Sequence, residues 1–253
     1  MTQDFRKLAL GLGVAVGFAG ATTVLPAKVL AGDEAKAVVE LYTSQGCSSC
    51  PPADELLGKL AERDDVVALT FPVDYWDYLG WKDTLASPAY SARQRAYARA
   101  RRDGQVYTPQ VVIDGAHHAV GSQAHAVKQT ILKSMAATKN SRVPMKVWAE
   151  GDSIIITAGD AAEGMRVKPA TVWLALVKAS ETVKIERGEN RGETITYYNV
   201  VRELTPVGQW NGKKVTIKLP KHHLKNRGAD SCTVLLQLDT AGPVIAAAEM
   251  KKW

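Results

Sequence analysis

Two cysteines three positions apart constrain this chain more than any other feature. Cys47 and Cys50, in Ser44-Gln45-Gly46-Cys47-Ser48-Ser49-Cys50-Pro51, stand between a β-branched apolar run and the start of a helix. A pair at this spacing can close a small disulfide ring without distorting the helix that follows. The first cysteine also lies at the helix N-terminus, where unpaired backbone N–H groups and the helix dipole favour a thiolate. A thiol of lowered pKa is both a nucleophile and a good leaving group. Metal sites use the same spacing, but a structural zinc site takes two further ligands, and a chain of three cysteines has no second pair. In a strand–turn–helix context the pair reads as a redox motif rather than a zinc site.

The surrounding pattern supplies that context. Val38 to Tyr42 reads as a buried strand, Pro51 to Arg63 as a helix with Leu56, Leu57 and Leu60 on one face, and Val66 to Val73 as a second strand. Pro88 to Arg102 reads as a helix stopped near Gly104. Gln110 to Ile113 is a strand turned at Asp114-Gly115 into His118-Ala119-Val120, and Ser122 caps a last helix through Met135. Strands alternating with helices over residues 37–138 imply an α/β layer.

After a linker near Thr138 to Pro144 the texture changes. Met145 to Trp148, Ser153 to Thr157, Thr171 to Lys178, Thr194 to Val201, Lys214 to Leu219 and Thr233 to Leu238 read as strands. Turn signals separate them at Glu150 to Asp152, Arg187 to Gly192, Asn211-Gly212 and Gly228 to Asp230. Six or more strands with little helical periodicity suggest a mainly β, sandwich-like unit over residues 144–253. Apolar residues at 46% and charged residues at 23% are the balance of a globular chain, not of a disordered or multi-span membrane protein. The net charge of +6 is small and scattered, which argues against nucleic acid as a partner.

Thr108-Pro109 is a second mark. Proline at a strand entry cannot donate to the ladder. With a cis bond before it, the backbone of Thr108 would turn toward the cysteines, where an extended substrate can pair with it. An ordinary trans proline is the plainer reading of the dipeptide alone, and the order of the elements around it favours the first. With strand, cysteine helix, strand, helix and proline-led strand in this order, residues 38–135 resemble the thioredoxin-like superfamily. The stretches VVELYTSQGCSSCPPAD, FPVDYWDYLGWKD, SPAYSARQRAYA, YTPQVVIDG and RGENRGETITYYNVVRELTPVGQWNG resemble a narrower group of secreted bacterial proteins, the uncharacterised family DUF1223. The superfamily resemblance implies thiol–disulfide chemistry at Cys47 and Cys50, with Thr108 and Pro109 beside them. Ser48-Ser49 in place of the Gly-Pro of thioredoxin, and Pro51-Pro52 opening the helix, leave the direction of electron flow open.

Other residues carry two readings each. Glu40 lies near where thioredoxins keep a buried acid that moves protons for the resolving thiol. Its offset from Cys47 differs by one residue, so on an alternating strand it is either that acid or turned the other way. Tyr75, Trp76 and Asp77, within a dense aromatic and acidic segment, either wall a substrate groove or fill space as a packed loop. The arginines of the second predicted helix, Pro88 to Arg102, read as a solvated face, and Cys232, on a core strand, as an inert buried thiol.

The N-terminus reads as an address. Arg6 and Lys7 precede an apolar run, Leu8 to Leu25, and Val29-Leu30-Ala31 offers a cleavage point, so residues 1–31 are expected to be a Sec-type signal peptide. Its loss removes three basic residues and one acidic one and leaves +4. The expected location is periplasmic or secreted, without stable membrane association after cleavage; an uncleaved anchor is the alternative. The leading functional expectation is an exported thiol–disulfide oxidoreductase acting on a thiol- or disulfide-containing protein or a small thiol, with no cofactor. Two alternatives stand beside it. One is a non-catalytic binding protein on a thioredoxin scaffold. The other is a Cu(I)-handling module using the two thiolates with His117 or His118, against which the two-residue spacing counts.

Overall fold

The computed structural model describes residues 1, 35–222, 228–239 and 241–251; the expected signal segment and its cleavage point lie outside them. The chain is a mixed α/β protein built on one large sheet. In order it forms β1 (Ala37–Thr43), α1 (Pro51–Ala61), β2 (Val66–Pro72), α2 (Pro88–Arg101), β3 (Gln110–Ile113), β4 (His117–Val120) and α3 (Ala124–Thr138). There follow β5 (Met145–Glu150), β6 (Ser153–Ala158), β7 (Ala170–Lys184), β8 (Thr194–Trp210), β9 (Val215–Pro220), β10 (Ser231–Leu238) and β11 (Val244–Met250).

The eight-stranded sheet has the order β11-β10-β7-β8-β2-β1-β3-β4. β1 and β2 run parallel, as the crossover through α1 requires, while β3 and β4 are antiparallel to their neighbours. β7, β8, β10 and β11 join this same sheet through a parallel contact of β2 with β8, registered at Thr70 and Val200. Two side-chain bonds brace that seam: Thr70 Oγ1 donates to Tyr198 O (2.6 Å), and Asn199 Nδ2 donates to Ala68 O (3.0 Å). The strands after residue 144 are thus divided between two sheets, with β5, β6 and β9 making a separate three-stranded one.

Side-chain alternation sorts the core into layers. Val39 and Leu41 of β1 pack with Leu57 and Leu60 of α1 and Val127 and Ile131 of α3. Val38 and Tyr42, on the opposite face, pack with Phe71, Tyr90 and Tyr97, and also with Val177, Leu235 and Ala247 of the later strands. The sheet therefore curls until its far strands meet β1 and β3, where Ala35 N donates to Ala247 O (3.2 Å) and Val244 N to Asp114 O (2.9 Å). On the other face of β7, β10 and β11, the small sheet buries Met145, Val147, Ile154 and Ile156 against Leu174, Val234 and Ala246. The small sheet and the strands β7, β10 and β11 are thus two packed β layers, and the larger layer is continuous with the first sheet rather than a separate unit.

Candidate functional site: the Cys47–Cys50 turn and its cover

Gln45 to Cys50 forms a tight turn from the end of β1 into α1. Cys47 N donates to Ser44 O and Cys50 N to Cys47 O, both at 3.1 Å. Cys50 caps α1 by backbone alone: its carbonyl accepts Ala53 N (2.8 Å) and Asp54 N (3.1 Å). Pro51 and Pro52 occupy the first helical turn, where a missing N–H costs nothing because that group has no intrahelical partner. Cys47 and Cys50 are joined as a disulfide, and both are fully buried, while Ser48 and Ser49 between them are exposed.

Thr108-Pro109 lies at the entry to β3 with a cis peptide bond. A Cβ built on Gly121 would stand 3.0 Å from Ala53 Cβ and 3.2 Å from Pro109 Cβ, so the absent side chain lets the proline approach the first turn of α1. Trp76 joins the two marks: its Nε1 donates to Thr108 Oγ1 (2.7 Å), and its Cβ lies 3.0 Å from where a side chain on Gly46 would begin. Tyr75 reaches the other way, its hydroxyl donating to Gln94 Oε1 on α2 (3.2 Å), and burial pushes this phenol up to about 12. Asp77 accepts Asp83 N (3.1 Å) and so braces the loop. The 74–83 segment is therefore packed inward at Tyr75 and Asp77, whereas Trp76, with exposed Tyr78 stacked on it at 6.4 Å, faces the cysteine turn and Thr108.

Glu40 is not brought to the cysteines. It shares a face of β1 with Val38 and Tyr42, opposite α1, and meets Arg93 of α2 in a two-pronged ion pair (2.7 and 2.8 Å). Tyr97 and Tyr42 donate to the same carboxylate (2.6 and 3.0 Å), and Gln237 of β10 accepts from Arg93 and donates to Tyr97. This network ties β1, α2 and β10 together, a structural task that leaves Glu40 no route to the sulfurs.

A buried acid that the cysteine helix does carry is Asp54, one turn beyond Cys50 along α1. It is 2% exposed, and neither carboxylate oxygen has a hydrogen-bond partner. Burial raises its pKa well above the ordinary carboxylate range; Thr43 beside it pulls the other way without reaching hydrogen-bond geometry, and Asp83 adds repulsion. Tyr197 of β8 presents a second unpartnered buried hydroxyl, its pKa raised by burial and by the charges of Asp54 and Asp83. Asp83 itself accepts Gln45 N (2.8 Å) and Leu85 N (2.9 Å), and burial still raises its pKa. The apolar face that the sequence shows for this helix is marked by its leucines and does not announce a buried acid. The signal overlooked was the i, i+4 relation of Asp54 to Cys50, which sets it on the buried side with Leu57.

The second overlooked contribution comes from the turn between β7 and β8. Asn190, 6% exposed, donates from Nδ2 to both Gln45 O and Cys47 O (3.0 Å each). Glu189 accepts Ser48 N (3.0 Å), and the Ser48 side chain first and this amide second lower the pKa of its exposed carboxyl. Trp81, near Gly188, donates to Gln45 Oε1 (2.7 Å). No local signal marks Asn190, because its partners lie more than 140 residues away along the chain.

His117 and His118 lie on β4, where His118 faces Tyr107 through Nδ1 (2.9 Å) and Asp103 through Nε2 (3.3 Å). Among the described residues no group of three or more His, Cys, Asp or Glu side chains is placed to hold a metal ion. Cys232 is free and buried, and burial pushes its thiol up to about 12.

A search of curated proteins finds no match. Among solved structures, protein AGR_C_4864 from Agrobacterium tumefaciens is 34% identical, with a TM-score of 0.76, over 86% of this chain and 95% of that one. The family model described as a protein of unknown function, DUF1223, matches residues 38–237, and the chain accordingly belongs to the DUF1223 family.

Proposed function

We propose that the chain is a thioredoxin-like thiol–disulfide oxidoreductase whose reacting atoms are the sulfurs of Cys47 and Cys50. The observation that carries this reading is the pairing of the disulfide at the start of α1 with a buried, unpartnered carboxyl, Asp54, one turn beyond Cys50. A structural disulfide has no use for such a carboxyl, which costs stability. The order β2-β1-β3-β4, with α1 and α3 on one face and the Thr108-Pro109 entry beside the cysteine turn, supports the superfamily assignment. The order of basic, apolar and small residues over 6–31 supports export to an oxidising compartment, where such a disulfide persists. Among the described residues no helix is long and apolar enough to cross a membrane.

In the oxidising direction, a substrate thiolate attacks Cys47 Sγ and the Cys47–Cys50 bond breaks. The electron pair leaves on Cys50, which takes a proton from the Asp54 carboxyl. A second substrate thiolate then attacks its partner in the mixed disulfide and releases Cys47 as a thiolate, so the substrate is oxidised and the cysteine pair reduced. The reverse sequence reduces a substrate disulfide. Trp76 and Thr108 form the wall beside which the substrate chain would lie.

The test is redox equilibration of the oxidised protein with glutathione buffers. A potential between roughly −270 and −120 mV, together with a trapped mixed disulfide in Cys50→Ser but not in Cys47→Ser, supports the reading. A potential below about −300 mV marks the bond as structural and overturns it.

A further inference from the structure

We propose that the β7–β8 turn is a gate over the cysteines, held shut by Asn190 and Glu189, and that it decides which thiols reach Cys47. The proposal rests on the oxidoreductase reading and adds to it a specificity element from outside the cysteine-bearing part of the chain.

The two strands that carry the turn are the longest described, 15 and 17 residues, and they deliver its tip to the cysteine loop. The tip is preformed: Ile185 N donates to Glu193 O (2.9 Å), Gly192 N to Ile185 O (2.8 Å) and Glu193 N to Asn190 O (3.1 Å). Gly188 and Gly192 have positive φ values of 79° and 93°, which permit the tight reversal. The tip grips the cysteine turn through side chains, Asn190 on two carbonyls and Glu189 on one amide. These bonds give partners to Ser48 N and Gln45 O, and a second donor to Cys47 O beside Cys50 N.

Exchange requires an incoming sulfur to reach Cys47 Sγ in line with the breaking bond. Both cysteines are fully buried, so the closed arrangement leaves no such approach, although Ser48 and Ser49 beside them are exposed. The grip consists of three hydrogen bonds to backbone groups of the cysteine turn. An extended substrate offering its own amide N–H groups to Gln45 O and Cys47 O replaces what Asn190 supplies. A small thiol without such donors must wait for the turn to leave unaided. The gate therefore favours peptide substrates over small thiols.

The experiment follows single-turnover reduction of the oxidised full chain by excess dithiothreitol, read by tryptophan fluorescence. Asn190→Ala, which removes two neutral hydrogen bonds from the closed state, should be reduced roughly tenfold faster than wild type. Glu189→Ala, a surface change that leaves folding intact, should gain roughly threefold. Val234→Ala, in the distant layer between the two sheets, controls for general loosening and should keep the wild-type rate. Unchanged rates in both turn variants, or an equal gain in Val234→Ala, would overturn the gate while leaving the oxidoreductase reading in place. If wild type and Asn190→Ala both resist reduction until unfolded, the disulfide is structural and both readings fall. Rapid reduction of Asn190→Ala beside a resistant wild type would support the gate.

Discussion

Replacing Asp54 by Asn is expected to stabilise the oxidised protein at neutral pH, by an amount that grows with pH. The folded carboxyl is buried and unpartnered, and its pKa is raised, primarily by desolvation. In the unfolded chain the same group ionises near pH 4. Below that value both states hold the proton and Asp54 is neutral in each. As pH rises, the unfolded chain releases its proton while the folded chain keeps it, so unfolding is favoured by roughly 1.4 kcal/mol per pH unit until the folded carboxyl also ionises. The loss accumulates at that slope over the whole interval between the unfolded pKa and the raised folded one. An asparagine has no such slope. Urea unfolding of wild type and Asp54→Asn at pH 4.5, 6 and 7.5 reads the difference directly. Other raised carboxyls, Asp83 and Glu249, titrate in both proteins and largely cancel. A stability difference that stays flat across this range would show that the folded carboxyl ionises normally, and would remove Asp54 as a proton store. The same variant should slow exchange, because the leaving thiolate of Cys50 loses its proton source.

Glu40→Ala leaves Arg93 buried without its carboxylate and should cost about 3–5 kcal/mol in unfolding, with the reduction potential unchanged because the pair faces away from α1. Cys232, its thiol pushed up to about 12, should resist iodoacetamide at pH 8 in the folded protein and react only on unfolding, and Cys232→Ala should leave exchange rates as they are. Gly121→Val places atoms against Ala53, Leu41 and Pro109, so a melting temperature several degrees lower and a displaced Pro109 are expected, measurable by calorimetry and crystallography; an unchanged melting temperature would refute the close approach.

Much of this architecture is written locally. The apolar runs of β1 and β2, the proline-opened α1 and the Asp114-Gly115 reversal into β4 each follow from period, propensity and turn chemistry within a few residues. So do the positions of Cys47 and Cys50 at a helix start and of Thr108-Pro109 at a strand entry. β11 was not legible in this way. Val-Ile-Ala-Ala-Ala-Glu-Met has the composition of a helix, and it is held as a strand because Ala246 and Ala248 pack against the small sheet while Ala247 packs on the opposite face. β8 runs nine residues beyond its expected end at Val201 because β7 pairs with it along that length.

The sequence by itself determined where a reactive pair of sulfurs stands and which strand and helix present it, since those depend on neighbours along the chain. Tertiary structure alone decided what surrounds the pair. The turn of Glu40 toward Arg93, the burial of Asp54 beside Tyr197, and the placing of Asn190 on the carbonyls of Gln45 and Cys47 depend on how the strands after residue 170 add to the first sheet. Pairing across more than a hundred residues leaves no periodic trace in a local window, and the burial of a carboxyl is known only when both sides of its cavity are in place.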